Sequence, residues 1–276
     1  MTLAPLSNAV VFKKLFRDPE VLREFLYDLT GLKLDIRPEY IETEKRFTPT
    51  VGPVDIVMDI VVEDPTHRIL IEIQRERYDY HYDRFLHYHQ VATVELVHSH
   101  QAYKLDRTVY TVVWLTARSH DPLYQHGLIT TSLRSETESG LVLPIYPHRL
   151  FFLNPFYRND QTPAGLADWL QLVVESIRNP QQPQVNYQRE VIQKATHLIE
   201  GERLTPEERR LALEETGYEQ HLRLRYEEGR EERNREIARS LLAEGMDPAA
   251  VARITGLPAD EVAEVDTRTR LGGEAQ

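Results

Sequence analysis

The chain has 276 residues, of which 41% are hydrophobic, and this is enough for one sizeable globular core with an extension. It contains no cysteine, which excludes disulfides, thiolate nucleophiles and cysteine-based zinc sites. Its net charge of −11 opposes tight, non-specific binding to nucleic-acid phosphates.

Two helices are predicted at the start of the chain. The spacing of apolar residues predicts the first over residues 6–16. Asp18 followed by Pro19 is typical of a helix N-terminus, and Gly31 is typical of the residue that follows a helix. The second helix is therefore expected between them, with an apolar stripe of Val21, Leu22, Phe25, Leu26 and Leu29.

Three strands are predicted next. One covers residues 40–48, and residues 54–74 contain two apolar, β-branched runs. Asp64 and Pro65, between these runs, favour a tight turn. We therefore expect a hairpin in which Glu63 faces Arg68.

In this register Asp59 lies opposite Glu72, while Glu72 and Gln74 point to the same face of the strand. Facing Cβ atoms in an antiparallel pair are about 4.5–5.5 Å apart. Two carboxylates that close repel each other unless a divalent cation or a proton lies between them. The pattern favours a two-carboxylate metal site and metal-assisted hydrolysis, although acids on a strand are also typical of the solvated face of an edge strand.

The middle of the chain predicts the remaining parts of an α/β domain. A helix is expected over residues 78–100, with Arg84 and Tyr88 on one face because they are four residues apart. The continuous apolar run of residues 107–117 predicts a buried central strand. Residues 141–152 contain one or two short strands, and Pro163 opens a helix that reaches Ile177.

The C-terminal part predicts an all-helical extension. The polar, proline-rich segment from Asn179 marks a boundary. We expect a domain over residues 1–178, a linker and charged helical region over 179–244, and a small tail with helix-turn-helix spacing over 245–276. The second helix of the tail is acidic, which favours protein contact or dimerisation over DNA reading.

Four collinear motifs resemble the PD-(D/E)XK nuclease superfamily, in particular its Rpn-type branch of recombination-promoting nucleases and transposases. Asp59 followed by Glu72, Ile73 and Gln74 resembles the superfamily core. The other matching stretches are residues 11–16 with Asp18, the Arg84-to-Tyr88 helix segment, and residues 227–232 and 242–247 of the charged helix and terminal module.

This resemblance implies a restriction-endonuclease-like core, a small mixed sheet flanked by helices, and a DNA endonuclease that uses Mg²⁺, or Mn²⁺ in its place. Asp59 and Glu72 would bind the metal. Gln74 stands where the superfamily pattern has lysine, so its amide would orient the attacking water by hydrogen bonding. Glu24 and Arg84 are further candidates for the site.

Two alternatives remain open. Gln74 and the acidic charge are also consistent with a catalytically weakened nuclease fold that binds DNA or protein. The helical tail is also consistent with an interaction protein, and its charged helices predict a homodimer. Residues 1–5 show no signal peptide, and no apolar run approaches the roughly 18 residues of a membrane helix, so we expect a cytoplasmic protein with no membrane partner.

Overall fold

The computed structural model describes residues 2–47, 56–75, 82–96 and 105–265. Its helices are α1 (Ala9–Phe16), α2 (Pro19–Thr30), α3 (Tyr82–Val94), α4 (Ala164–Arg178), α5 (Glu190–Leu198), α6 (Pro206–Ala243) and α7 (Pro248–Thr255). Its strands are β1 (Ile41–Phe47), β2 (Ile56–Glu63), β3 (His67–Gln74), β4 (Thr108–Leu115), β5 (Leu128–Thr131), β6 (Ser135–Glu136), β7 (Val142–Leu143) and β8 (Arg149–Leu153). Residues 259–265 are also helical.

Side-chain caps fix the first two helices. The Asn8 carboxamide oxygen accepts hydrogen bonds from the backbone N–H of Val10 and Val11, so α1 begins at Ala9 rather than at residue 6 as predicted. Asp18 caps α2 in the same way, and Gly31 ends it in the left-handed conformation with φ 75°. Both ends of α2 are as the sequence predicted.

Six strands form a mixed sheet in the order β1-β2-β3-β4-β8-β5. The β2–β3 hairpin is antiparallel and pairs Glu63 with Arg68, as predicted. Strand β4 lies parallel to β3 and β8 in the middle of the sheet, which confirms its predicted central place. Strand β5, which the sequence did not indicate, pairs antiparallel with β8 at one edge.

Helices cover both faces of this sheet, so the predicted fold class is confirmed. On one face α1, α2, α4 and α5 share the larger core with alternate residues of β2, β3, β4 and β8. On the other face α3 contributes Phe85, Val91 and Ala92 to two smaller cores. The two ends of the helix predicted over residues 78–100 lie outside the described residues.

Two compact units divide the chain, Met1–Ala212 and Leu213–Gln276. The polar segment that starts at Asn179 lies within the first unit, where α5 packs against α2 and α4. The domain limits drawn from the sequence stay a prediction.

The second unit has a small apolar core of its own. Gly245 and Gly256 have φ angles of 83° and 69°, a conformation that glycine adopts readily, and Gly256 ends α7 there. The buried residues are Ala238, Leu242, Val251, Leu257, Val262 and Val265. Among the described helices of the chain, none is long and apolar enough to cross a membrane.

An aromatic cluster anchors α2 in the larger core, and its removal should destabilise the first unit. The Phe25 ring lies 5.0 Å from Phe16, 5.3 Å from Trp114 and 5.8 Å from Trp169, measured between ring centroids. Phe25→Ala should lower the free energy of unfolding by about 3–5 kcal/mol because it leaves a cavity there. Urea unfolding measures this loss.

Tyr27→Ala is the matched control, since Tyr27 lies on the same helix and is 44% exposed. Its effect should stay below about 1 kcal/mol. Equal losses in the two variants would contradict the proposed packing.

Candidate active site

Three neighbouring strands bring three acidic residues into one row. Thr43 pairs with Ile60 and Lys45 with Met58, which places Glu44 of β1 opposite Asp59 of β2. Ile60 pairs with Ile71, and the same register places Asp59 opposite Glu72 of β3. The row crosses the sheet where the paired region of β2 and β3 ends.

The carboxylates of Asp59 and Glu72 each accept a hydrogen bond from the backbone of the opposite strand. Glu72 Oε2 accepts a hydrogen bond from the Asp59 backbone N–H at 3.2 Å, and Asp59 Oδ2 accepts one from the Ile73 backbone N–H at 3.0 Å. Each side chain therefore satisfies a backbone donor of the opposite strand. These bonds fix both carboxylates side by side, as the predicted register required.

Electrostatic repulsion within this pair is substantial because water is largely excluded. Glu72 is buried, with 6% of its surface exposed, whereas the Asp59 side chain is 19% exposed. Burial, followed by the negative charge of Asp59, raises the pKa of Glu72 from 4.5 to about 8. This raised pKa favours the protonated form of Glu72 at neutral pH unless a cation offsets the charge.

Two basic side chains flank the pair. Lys13 Nζ, from α1, lies 3.6 Å from Asp59 Oδ1. Arg84, from α3, places Nη2 3.4 Å from Glu72 Oε1 and Nη1 3.4 Å from Gln74 Oε1. Arg84 Nε also donates to the Tyr88 hydroxyl at 2.7 Å, which fixes the guanidinium on the helix face that these two residues share.

The structure thus brings Asp59, Glu72, Gln74 and Arg84 together. It does not do so for Glu24, whose side chain is 42% exposed and 4.0 Å from Arg23. Among the described residues, no ion pair or hydrogen bond joins Glu24 to Asp59 or Glu72.

Lys13 was not singled out from the sequence as a residue of the site. Its place beside Asp59 depends on how α1 docks on the sheet. The available signal was its position in the 11–16 motif.

The donor atoms of the site fit a hard divalent cation. Carboxylate oxygens are the ligands that Mg²⁺ and Mn²⁺ prefer, and a cation between Asp59 and Glu72 would relieve their repulsion. Within the described ranges, no group of three or more histidine, aspartate and glutamate side chains is placed to hold a metal ion. Asp59 and Glu72 are the carboxylates of the site that could hold such an ion.

A mixed sheet flanked by helices, with an acidic pair on adjoining strands, is the arrangement of a nuclease-type fold. A family model described as the PD-(D/E)XK nuclease family transposase matches residues 7–223. The chain belongs to this family, which confirms the resemblance. A second model, the C-terminal HTH domain of the Rpn/YhgA-like nuclease family, matches residues 231–266. Comparison with curated proteins and with solved structures gave no match.

The raised pKa of Glu72 predicts a stability cost that a neutral side chain would remove. A group whose pKa is higher in the folded state destabilises the fold as pH rises from its unfolded value, here 4.5, to about 8. Glu72→Gln should therefore stabilise the metal-free protein at pH 8, by an amount on the order of 1–4 kcal/mol. Melting temperatures in EDTA at pH 5 and pH 8 measure this difference.

Glu63→Gln, at the other end of the hairpin, is a control of opposite sign. Burial alone would raise the pKa of Glu63, but the charges of Arg68, Lys45 and Arg107 outweigh it and lower the pKa. Its ionised form stabilises the fold above pH 4.5, so Glu63→Gln should lower the melting temperature at pH 8. Destabilisation by Glu72→Gln at pH 8 would contradict the conclusion that ionised Glu72 destabilises the fold.

Proposed function

We propose that this protein is a metal-dependent endonuclease that hydrolyses phosphodiester bonds in DNA. The observation that carries the proposal is the pair of half-buried Asp59 and buried Glu72, held side by side on adjoining strands with a raised Glu72 pKa. Two carboxylates held this close together destabilise the fold. Perturbed pKa values of this kind are typical of functional sites. Membership of the nuclease family supports the same conclusion.

Each residue of the site has a proposed role. Asp59 and Glu72 would hold Mg²⁺, or Mn²⁺ in its place, through their carboxylate oxygens. When bound, the metal ion would lower the pKa of a water molecule and polarise the phosphate. The Gln74 amide would orient the attacking water, and Arg84 keeps Gln74 and Glu72 aligned through its contacts to both.

The proposed substrate follows from the same family membership. DNA is the proposed substrate because the chain carries both a nuclease-family region and a nuclease-associated HTH domain. A homodimer through the C-terminal helices and a cytoplasmic location remain predictions from the sequence.

One observation favours a second candidate, a nuclease fold with weakened chemistry that binds DNA or protein. The position at which the superfamily pattern has lysine is the uncharged Gln74, and its side-chain oxygen contacts Arg84 at 3.4 Å. The two candidates differ in whether the intact protein cuts DNA.

Cleavage of supercoiled plasmid tests the proposal directly. The wild-type protein should nick the plasmid with Mg²⁺ or Mn²⁺ and not with EDTA. Asp59→Asn and Glu72→Gln should each lower the rate by about 10²-fold or more, because each removes a charged ligand from the site. Glu72→Gln is especially informative, since it should lose activity while it gains stability.

Glu63→Gln serves again as the control, because it removes a carboxylate from the same hairpin away from the site, and it should retain cleavage. Metal-dependent binding without cleavage by well-folded wild-type protein would instead support the weakened nuclease fold. Cleavage that persists in both Asp59→Asn and Glu72→Gln would mean that the site lies elsewhere.

A further inference from the structure

Lys13 lies at the carboxylate pair although Asp59 is 46 positions further along the sequence. Its ammonium is 3.6 Å from Asp59 Oδ1 and 2.7 Å from Glu44 Oε1. Only 15% of the Lys13 side chain is exposed, so its charge acts where solvent screening is reduced. Lysine side chains with this little exposure usually have a specific partner.

The helix that carries Lys13 is rigidly held. Asn8 caps its first turn, and its apolar side packs into the larger core. The Phe12 ring, next to Lys13 in the chain, lies 6.2 Å from the Trp114 ring of the central strand β4. Lys13 is therefore presented to the site by a packed helix, an arrangement that gives precise placement.

Glu44 adds a second, independent observation. Among the described non-glycine residues it alone has a positive φ angle, 56°, an unfavourable conformation that clusters at functional sites. It occurs in β1 at the position opposite Asp59, and the Glu44 carboxylate accepts a hydrogen bond from Lys13 at 2.7 Å. The hydrogen bond from Lys13, and then its charge, lower the pKa of Glu44.

The other flanking cation, Arg84, lies on the Glu72 side of the pair. The Arg84 guanidinium contacts Glu72, Gln74 and the Tyr88 hydroxyl. On the Asp59 side of the pair, Lys13 is the ammonium that the structure provides. The superfamily pattern has lysine at the position that Gln74 occupies in this chain, although the Rpn-type branch commonly has glutamine there.

We propose that Lys13 supplies this missing positive charge to the attacking water and the scissile phosphate, and that Glu44 positions it. The inference rests on the proposed nuclease function. In the hydrolysis, the attacking water releases a proton to solvent and its oxygen bonds to phosphorus. The bond from phosphorus to the leaving oxygen breaks, and the leaving oxygen keeps the electron pair and takes up a proton from solvent. Lys13 stays protonated throughout and contributes charge.

Single-turnover plasmid cleavage by four proteins tests this role. Lys13→Met should lower the rate by about 10²–10³-fold, as removal of one preorganised charge-stabilising group does. Lys14→Met is the matched control, because Lys14 is the next residue on α1 and pairs with Glu208 at 2.7 Å. It should retain the rate within about threefold. The double variant Lys13→Met/Gln74→Lys should recover at least about tenfold over Lys13→Met, since it returns a lysine to the motif position.

Binding of a short fluorescent duplex in EDTA gives a readout that needs neither metal nor cleavage. The affinity is measured against salt concentration for the full-length wild type, Lys13→Met and Lys14→Met. Lys13→Met should reduce the slope of log affinity against log salt by about one, as loss of one phosphate contact does. Lys14→Met should leave the slope unchanged, because Lys14 contacts Glu208 and the Arg203 carbonyl rather than the carboxylate pair.

The outcomes separate this inference from the proposed function. Wild-type cleavage with equal rates in Lys13→Met and Lys14→Met, or no recovery in the double variant, would overturn the role of Lys13 and leave the nuclease intact. Wild-type binding without cleavage would reject the nuclease, and the salt slope would still decide whether Lys13 contacts phosphate. A wild-type protein that neither cuts nor binds DNA overturns both.

Discussion

The reciprocal hydrogen bonds between Asp59 and Glu72 are the constraint on which the site depends. Each carboxylate binds a backbone N–H of the opposite strand, so neither can move away from the other without breaking a strand contact. The fold therefore maintains two acids at a separation that their charges oppose. Protonation of Glu72 and the positive charges of the flanking Lys13 and Arg84 reduce that opposition.

Packing of the surrounding strands and helices stabilises the fold against the repulsion between the two acids. Strand β4, buried from Val109 to Trp114, fixes β3 from one side, and β2 fixes it from the other. Helices α1 and α3 approach from opposite faces and each delivers one cation to the pair. The energy stored in the acid pair is thus balanced by apolar packing that lies outside the site. This division is common where function needs an unfavourable arrangement.

The parts of the site that sequence could predict are local. A turn at Asp64 and Pro65 sets the register of the hairpin, and that register alone places Asp59 opposite Glu72. A spacing of four residues likewise places Arg84 and Tyr88 on one helix face. Lys13 could not be placed in this way, because its approach to Asp59 depends on the packing of α1. Strand β5 was missed because four residues, Leu128–Thr131, at a sheet edge carry little pattern.

The contacts of the N-terminal segment have a consequence for synthesis of the protein. The Leu3 N–H donates to the Pro180 carbonyl at 2.9 Å, and the Asn8 side chain donates to the Ala212 carbonyl at 3.1 Å. The segment that leads into α1 is therefore tied to residues that leave the ribosome some two hundred positions later. Both acids of the hairpin are therefore synthesised before the residues to which this segment is tied. The hydrogen bonds of Leu3 and Asn8 can form only after Pro180 and Ala212 have been synthesised. The order of synthesis therefore delays the final placement of Lys13, on α1, beside Asp59.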